Sequence, residues 1–335
     1  MKIACFEVDP AEKKQLEKAL KGHDITCFDH PLSEKDVEKI IDVEALIVFI
    51  YSKIDRTILD ELPNVKYITT MSTGFDHIDL EVCKEKNIII SNVPSYGEVT
   101  VAEHTFALLL AVSRRLIESY TRVKSGYFSP QGLTGFDLNG KTMGVIGVGA
   151  IGCNVIKIAK GFGMNVIGYK RSPDPELEKK FGFTIHDLET VLQKSDVVSL
   201  HLPYSQETHH IIDEEKFYMM KKGAVLINTA RGALIDTRAL IEALGRGDLA
   251  GVGLDVCEGE PVLREESQLL SKQFNSEEMM YVMEEHMLLH HPNVIITPHN
   301  AFNSREALTI ILDTTVKNIE GFVSKKPENV VESRD

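Results

Sequence analysis

The stretch Thr142-Met143-Gly144-Val145-Ile146-Gly147-Val148-Gly149-Ala150-Ile151-Gly152 places the pattern G-x-G-x-x-G directly after a β-rich run. Residues 153–162 then have a helical pattern, and a second β-rich run ends at Tyr169. This order is typical of a dinucleotide-binding unit, in which Gly147 permits the tight turn, Gly149 lets the backbone approach a pyrophosphate and Gly152 lets helix and strand pack closely. Ala150 and Ile151 would add free N–H groups at the helix N-terminus. A glycine-rich turn without a ligand is the alternative.

The second strand of this unit ends without the acidic residue that would bind the ribose hydroxyls of NAD. Lys170, Arg171 and Ser172 stand there instead. Two cations and a hydroxyl suit the 2′-phosphate of NADP, whereas a solvated loop would tolerate either cofactor. The sequence therefore predicts NAD or NADP as the cofactor, and these three residues favour NADP.

Short β-rich runs alternate with helical stretches on both sides of this unit, which predicts parallel sheets with crossover helices. The strands of a first block are predicted at residues 2–8, 24–28, 45–50, 67–70 and 88–91. A second block starts at Thr142 and continues with strands near residues 165–169, 197–200, 224–228, 251–255 and 294–297. Residues 99–122 have helical spacing and are predicted to form one long helix that joins the two halves. Ser304 is the predicted N-cap of a last helix that returns the chain to the first domain.

Composition narrows the class of protein. The chain has 335 residues, a net charge of −13 and five cysteines without a CxxC pair. We therefore expect about two domains, no disulfide framework, a reduced cytoplasmic location and no nucleic acid partner. No apolar run reaches the ~18 residues of a membrane-spanning helix, so no membrane partner is expected either.

A charged insertion covers residues 262–291 and is helical by composition. His286 and His290 have the i, i+4 spacing of metal ligands, but no third ligand lies at a fixed offset, and a solvated helix face is the preferred interpretation. We predict no metal. The methionines of this segment are expected in the core or at a subunit contact: Met279, Met280, Met283 and Met287.

Several side chains suited to chemistry follow the predicted strands of the second block, at the edge where open α/β sheets bind ligands. Arg231 follows one strand, Asp255 and Glu260 follow the next, and His299 follows the last. An arginine can bind a carboxylate through two hydrogen bonds, and a protonated histidine can donate its proton to a ketone oxygen. A neighbouring glutamate favours the protonated imidazole.

The motifs, taken in order, resemble those of the D-isomer-specific 2-hydroxyacid dehydrogenases, close to the D-lactate dehydrogenase branch, over essentially the whole chain. They are STGFDHID (72–79), NVPSY (92–96), VAEH (101–104), the glycine loop, HLP (201–203), NTARG (228–232), DVCEGEP (255–261) and ITPHNAF (296–302). The resemblance implies two parallel-sheet domains, one Rossmann-like and one flavodoxin-like, and reversible NAD(P)-dependent reduction of a small 2-oxoacid to a D-2-hydroxyacid. It makes His299 the proton donor, Glu260 its partner and Arg231 the group that binds the carboxylate and carbonyl.

The resemblance also assigns supporting roles. Thr73 and Gly74 would hold the substrate carboxylate through their backbone, and Tyr51, Tyr96 and Phe302 would line a small pocket. Asp255 would support the nicotinamide side, and further cofactor contacts would come from the matched motifs: His201, Leu202, Pro203, Thr208, Thr229 and Ala230. His104 and His201 would orient neighbouring groups rather than transfer protons.

The family fold implies a discontinuous substrate domain, residues 1–100 and 300–335, and a nucleotide domain, residues 101–299, with the cleft between them. A homodimer built on the nucleotide domain is expected. A hydroxypyruvate or glyoxylate reductase remains open, and so does a non-catalytic dinucleotide-sensing corepressor of the same fold, because such corepressors retain catalytic-looking residues.

Overall fold

The computed structural model describes residues 1–258 and 276–331, with side chains from residue 279 onward in the second range. The chain divides into two compact units. Unit 1 combines Met1–Tyr96 with Asn303–Asp335, and unit 2 is Gly97–Phe302. Each unit has its own parallel sheet, with one hydrophobic core in unit 1 and two in unit 2.

Unit 1 is built on a parallel sheet with the strand order β2-β1-β3-β4-β5. Its strands are β1 Lys2–Cys5, β2 Asp24–Cys27, β3 Ala45–Val48, β4 Tyr67–Thr70 and β5 Ile89–Ser91. Its helices are α1 Pro10–Ala19, α2 Arg56–Asp60, α3 Leu80–Glu85 and, from the end of the chain, α12 Arg305–Val323. A 3-10 turn covers Glu34–Lys39.

Helix α12 packs on the sheet of unit 1. The Ser304 side chain caps it by accepting a hydrogen bond from the Ala307 N–H at 3.1 Å, as predicted. Tyr67 on β4 is buried; its ring stacks on Phe322 with centroids 4.4 Å apart, and its hydroxyl donates to the Asn318 carbonyl at 3.1 Å. The C-terminal helix is thus part of the core of unit 1.

Unit 2 is built on a parallel sheet with the strand order β12-β11-β10-β9-β6-β7-β8. Its strands are β6 Thr142–Ile146, β7 Asn165–Tyr169, β8 Thr184–His186, β9 Val197–Leu200, β10 Ala224–Asn228, β11 Leu249–Leu254 and β12 Val294–Ile296. Its helices are α4 Glu98–Ser113, α5 Leu116–Lys124, α6 Ala150–Gly161, α7 Pro175–Phe181, α8 Leu188–Lys194, α9 Glu214–Met219, α10 Thr237–Gly245 and α11 Ser276–Leu289.

Two cores cover the two faces of this second sheet, because side chains alternate along each strand. On β6, Ile146 packs into one core, whereas Met143 and Val145 pack into the other. The strand order reverses between β6 and β9, and the crevice at such a point is where open α/β sheets bind ligands. The predicted fold class, two Rossmann-like or flavodoxin-like parallel-sheet domains, is confirmed.

The single long helix predicted over residues 99–122 is wrong. The chain forms α4 and α5, which are separated at Arg114 and Arg115. Arg115 has a left-handed backbone with φ +48°, and the Ser113 carbonyl accepts the Phe136 N–H at 3.0 Å. A right-handed helix cannot continue through such a residue, and the first of the two helices lies within unit 2 rather than joining the halves.

The insertion is only partly described, since residues 259–275 lie outside the described part of the chain. Its last portion forms α11, as the composition predicted. The methionines expected in the core or at a subunit contact are exposed by 45 to 61%, so they are not in the core of this chain and the subunit contact stays a prediction. His290 Nδ1 bonds the His286 carbonyl at 2.8 Å, and no group of three metal-ligating side chains occurs in the described ranges. Those ranges also contain no helix long and apolar enough to cross a membrane.

Candidate active site

The glycine loop joins β6 to α6 at the point where the strand order reverses. Gly147 has φ +100°, and a Cβ on it would lie 2.5 Å from the His201 carbonyl oxygen, so the loop packs against the chain that follows β9. A Cβ on Gly152 would lie 2.3 Å from the Gly147 carbonyl oxygen. A Cβ on Gly149, the N-cap of α6, would meet nothing within 4 Å. Gly147 and Gly152 therefore leave no room for a side chain, whereas the space at Gly149 and the helix N-terminus is open. This open space fits a bound pyrophosphate.

The cations at the end of β7 are already paired with carboxylates. Lys170 Nζ lies 2.6 Å from Asp174 Oδ2, and Arg171 Nη1 lies 2.9 Å from Glu207 Oε2. Asp174 also caps α7 by accepting the Leu177 N–H, and its bond with Lys170 lowers the pKa of its carboxyl. Ser172 is exposed beside them. An acidic side chain thus lies four residues after Lys170, paired with it.

His201 follows β9 and its ring lies inside unit 2. Burial lowers the pKa of His201 to about 3, and its Nε2 bonds the Ser199 hydroxyl at 2.8 Å. The imidazole is therefore neutral at ordinary pH, which agrees with an orienting role and excludes it as a standing proton donor. The turn beyond it is closed by Thr208, whose hydroxyl donates to the Pro203 carbonyl at 2.9 Å; Leu202 lies half-buried in the same turn.

Asp255 follows β11 and is the anchor of the loop that follows β12. Its side chain is 1% exposed and accepts a hydrogen bond from the Thr297 hydroxyl. It also accepts the backbone N–H groups of Asn300 at 3.0 Å and Ala301 at 2.8 Å. Sequence reasoning placed Asp255 on the cofactor side, and the structure shows both of its oxygens engaged with this loop.

His299 lies within the loop that Asp255 anchors. Its backbone is left-handed, with φ +49°, and its N–H donates to the Thr297 carbonyl at 2.9 Å. Strained non-glycine residues of this kind are kept where the surroundings hold them, and they cluster at functional sites. The half-buried His104 on α4 joins the same network, with Nε2 3.0 Å from the Thr297 hydroxyl and 3.4 Å from Asp255.

Arg231 follows β10 in a turn shaped by a buried asparagine. Asn228 accepts the Ala230 N–H at 3.0 Å and donates to the Arg231 carbonyl at 2.8 Å. Thr229 is buried, and its hydroxyl lies 3.0 Å from that of Thr105 on α4. The half-buried Arg231 side chain bonds the Ala230 carbonyl at 2.8 Å. A rigid turn therefore carries this guanidinium.

The Arg231 turn lies against the segment that leads to Glu260. A Cβ on Gly232 would lie 2.1 Å from the Cys257 backbone. His210 Nε2 bonds Glu258 Oε1 at 2.5 Å, and the other Glu258 oxygen accepts the Thr237 hydroxyl at 2.7 Å. Sequence reasoning did not indicate these hydrogen bonds. Glu260 itself lies outside the described residues.

In unit 1, the predicted carboxylate-binding turn follows β4. The Thr73 hydroxyl donates to the Val93 carbonyl at 2.8 Å, and the Thr73 carbonyl accepts the side chain of Asn92 at 2.8 Å. The Ser72 hydroxyl donates to the Gly74 carbonyl at 2.6 Å. The side chains thus fold inward and leave the backbone of an exposed turn to meet a ligand.

Tyr51 lies on a loop that is held by Glu7, a role that the sequence did not predict. Glu7, which follows β1 with a left-handed φ of +60°, accepts the N–H groups of Phe49 at 3.2 Å, Tyr51 at 3.1 Å and Ser52 at 3.0 Å. It also accepts the Ser52 hydroxyl at 2.6 Å. Burial raises the pKa of the Glu7 carboxyl although these bonds oppose the shift. Only its position just after an apolar strand could have signalled this role.

Tyr96 lies in unit 1 and Phe302 in unit 2, and both side chains are half-buried. Within unit 2 the structure brings together His299, Asp255 and His104, and separately the Arg231 turn and the segment at Glu258. The substrate and cofactor contacts assigned to these residues stay predictions.

Comparison with known proteins gives the family. The family model described as D-isomer specific 2-hydroxyacid dehydrogenase, NAD binding domain, matches residues 106–301, more than half of the chain. The chain therefore belongs to the D-isomer-specific 2-hydroxyacid dehydrogenase family, as its motifs predicted.

Individual relatives refine this placement. The chain is 36% identical to the D-lactate dehydrogenase of Escherichia coli, covering 95% of this chain and 96% of that protein. It is 38% identical to the glyoxylate reductase of Thermococcus litoralis, covering 88% and 85%. Among solved structures it is similar to the D-lactate dehydrogenase of Aquifex aeolicus complexed with NAD and lactic acid, with a TM-score of 0.90, 37% identity and coverage of 99% and 100%. The chain lies in the D-lactate dehydrogenase-like branch of the family.

Proposed function

We propose that this chain catalyses the reversible, NAD(H)-dependent reduction of a small 2-oxoacid to the D-2-hydroxyacid. One observation carries the proposal. His299 has a strained backbone, and the buried Asp255 holds the loop in which it lies. This loop follows a strand of the same sheet that carries the glycine loop at the point where the strand order reverses. That arrangement offers a fixed proton donor on the side of the sheet where a dinucleotide would bind.

The residues would divide the reaction as follows. The bound nicotinamide supplies or accepts the hydride. His299 would donate its proton to the carbonyl oxygen in reduction and take it back in oxidation, with Glu260 as its expected partner. Arg231 binds the carboxylate through the two prongs of its guanidinium, and the turn at Thr73 and Gly74 offers backbone N–H groups to the same carboxylate.

The substrate class is a 2-oxoacid with a short side chain. Relatives named D-lactate dehydrogenase support pyruvate, whereas the relative named glyoxylate reductase supports glyoxylate. One methylene is worth only ~1–3 kcal/mol in a pocket, so both substrates should react. We expect three side chains to decide which of the two substrates is preferred: Tyr51, Tyr96 and Phe302.

A substrate panel tests the proposal. The purified chain is mixed with NADH and pyruvate, glyoxylate or hydroxypyruvate, and loss of the reduced-nicotinamide absorbance is followed, with His299→Gln as the matched control. Turnover in the wild type that is lost in the variant supports catalysis. NADH binding without turnover of any of the three acids would favour the corepressor-like alternative.

We propose NAD(H) as the principal cofactor, supported by the NAD-binding family domain and by the ion pairs at the end of β7. Lys170 and Arg171 favoured NADP when read as free cations. Because Asp174 and Glu207 neutralise them, a 2′-phosphate would have to compete with two carboxylates. The NADP preference that Lys170, Arg171 and Ser172 indicated has no support from the NAD-binding family domain.

We propose that the chain forms a homodimer through α5 and the residues that follow it. A row of apolar side chains is exposed there by 49 to 91%: Leu116, Ile117, Tyr120, Val123, Tyr127 and Phe128. Apolar patches of this kind mark contacts with a partner. Light scattering should give about twice the single-chain mass of 37.5 kDa, and Phe128→Asp with Tyr120→Asp should lower it. A wild-type mass near 37.5 kDa would contradict the proposal.

We also propose a reducing, cytoplasmic location. All five cysteines are free thiols in the structure, which supports this placement. Fractionation of the source cells with an antibody to the chain would test it.

A further inference from the structure

Two cysteines face each other across neighbouring strands of unit 1. Strands β1 and β2 are parallel, and Cys5 is the direct register partner of Cys27. Register partners in a parallel sheet project their side chains to the same face. Neighbouring strands lie about 4.8 Å apart, and a disulfide accepts Cα atoms about 4.4–6.8 Å apart. The backbone thus already holds this pair at bonding range.

The two thiols differ in their chemistry. Cys5 is buried, and its neighbour Cys27 together with burial raises the pKa of the Cys5 thiol well above its usual value. Cys5 in turn lowers the pKa of the half-buried Cys27, and the positive charge of Lys13 on α1 acts in the same direction while burial opposes it. Cys27 is therefore the more acidic and more accessible thiol, and Cys5 is the proton-bearing one.

We propose that Cys5 and Cys27 form a redox site that a hydroperoxide converts reversibly into a disulfide. In the first step the Cys27 thiolate attacks one oxygen of hydrogen peroxide and the O–O bond breaks. Cys27 becomes a sulfenic acid, and the hydroxide that leaves takes up one proton and is released as water. In the second step the Cys5 sulfur attacks the Cys27 sulfur, and the S–O bond breaks. The Cys5 proton leaves with the departing oxygen as a second water. Two thiols are oxidised by two electrons, and one peroxide is reduced to two waters.

Cys153 provides a matched control. It is half-buried like Cys27, but burial raises the pKa of its thiol. Cys83 is fully buried and burial raises its pKa to about 12. If exposure alone decided oxidation, Cys27 and Cys153 would react alike; if the paired arrangement decides it, Cys27 reacts first.

The experiment treats the reduced, folded chain with graded hydrogen peroxide, blocks remaining thiols with iodoacetamide and maps the peptides by mass spectrometry. We expect a linked peptide pair containing Cys5 and Cys27, with the mass of two hydrogens lost and with full recovery after dithiothreitol. Cys27 should lose alkylation about tenfold or more faster than Cys153. In Cys5→Ser, Cys27 should accumulate as a sulfenic acid that dimedone traps.

The wild type alone decides the outcome, because mapping needs no variant to fold. A Cys27 that oxidises no faster than Cys153, or linked peptides that do not join Cys5 to Cys27, would overturn the proposal. The assay measures no turnover, so its result is independent of the proposed function.

Discussion

Releasing Lys170 from its carboxylate should shift the cofactor preference toward NADPH. Asp174→Asn removes the charge that pairs with Lys170, whose Nζ lies 2.6 Å from Asp174 Oδ2. The asparagine keeps the cap on α7, where the Asp174 side chain accepts the Leu177 N–H at 3.1 Å, because asparagine caps helices as well as aspartate does. The variant therefore changes the electrostatics without removing the turn.

The size of the shift follows from the exposure of the pair. The Lys170 and Asp174 side chains are 34% and 32% exposed, so the pair has the character of a surface ion pair, worth about 0.2–1 kcal/mol. A 2′-phosphate must overcome this interaction to recruit Lys170. Removing it should raise the ratio of kcat/KM for NADPH to that for NADH by about 1.4- to 5-fold. Loss of the carboxylate that repels the phosphate acts in the same direction.

The assay compares kcat/KM for both cofactors in wild type, Asp174→Asn and Lys170→Asp at saturating oxoacid. Glu207→Gln serves as the control, since it frees Arg171 at 83% exposure and should change the ratio less. The shift should shrink in 1 M salt, where the screening length falls to about 3 Å. If the ratio in Asp174→Asn equals that of wild type at low salt, Lys170 does not face the ribose, and the reasoning fails.

Three other outcomes are expected. His299→Gln should lower oxoacid reduction by about a hundredfold or more while NADH still binds in a fluorescence titration; near-normal turnover would remove its assignment as proton donor. Glu7→Gln replaces a carboxylate oxygen with an NH2 group that would face N–H donors, and it should lower the free energy of unfolding by about 1–3 kcal/mol. The KM for the oxoacid should rise, with NADH affinity unchanged. Burial lowers the pKa of His201 to about 3. As the pH falls, His201 is therefore protonated in the unfolded chain before it is protonated in the folded chain. The free energy of unfolding should fall by up to about 2 kcal/mol between pH 6.5 and pH 5, and urea titrations should show a smaller fall in His201→Gln.

Much of the fold was predictable because parallel strands buried on both faces are continuous apolar runs bounded by turn residues. The predicted strands at residues 67–70, 165–169, 197–200 and 224–228 match β4, β7, β9 and β10. Other strands, such as β1 and β3, end two or three residues earlier than predicted. Apolar residues continue past the last register pair of these strands, and hydropathy does not mark where the regular pairing stops.

What the sequence could not show is which partner each charged side chain takes. Lys170 and Arg171 indicated a phosphate site only while their carboxylates, four and 36 residues away, were unknown. The same holds for His210, whose partner Glu258 lies 48 residues further on. The break at Arg115 depends on a contact between Ser113 and Phe136. Helical periodicity is local and carries no signal of such contacts.

The network at Asp255 explains how the chain can keep a strained histidine. A left-handed backbone at a non-glycine residue costs about 1–3 kcal/mol, and the cost is tolerated only where neighbours determine the conformation. Asp255 binds Thr297 on one side of His299 and the Asn300 and Ala301 N–H groups on the other. Both ends of the strained residue are therefore fixed to one buried carboxylate. A backbone held in this way fixes where the His299 side chain begins before any ligand arrives, which is a condition for the proton transfer that we propose for it.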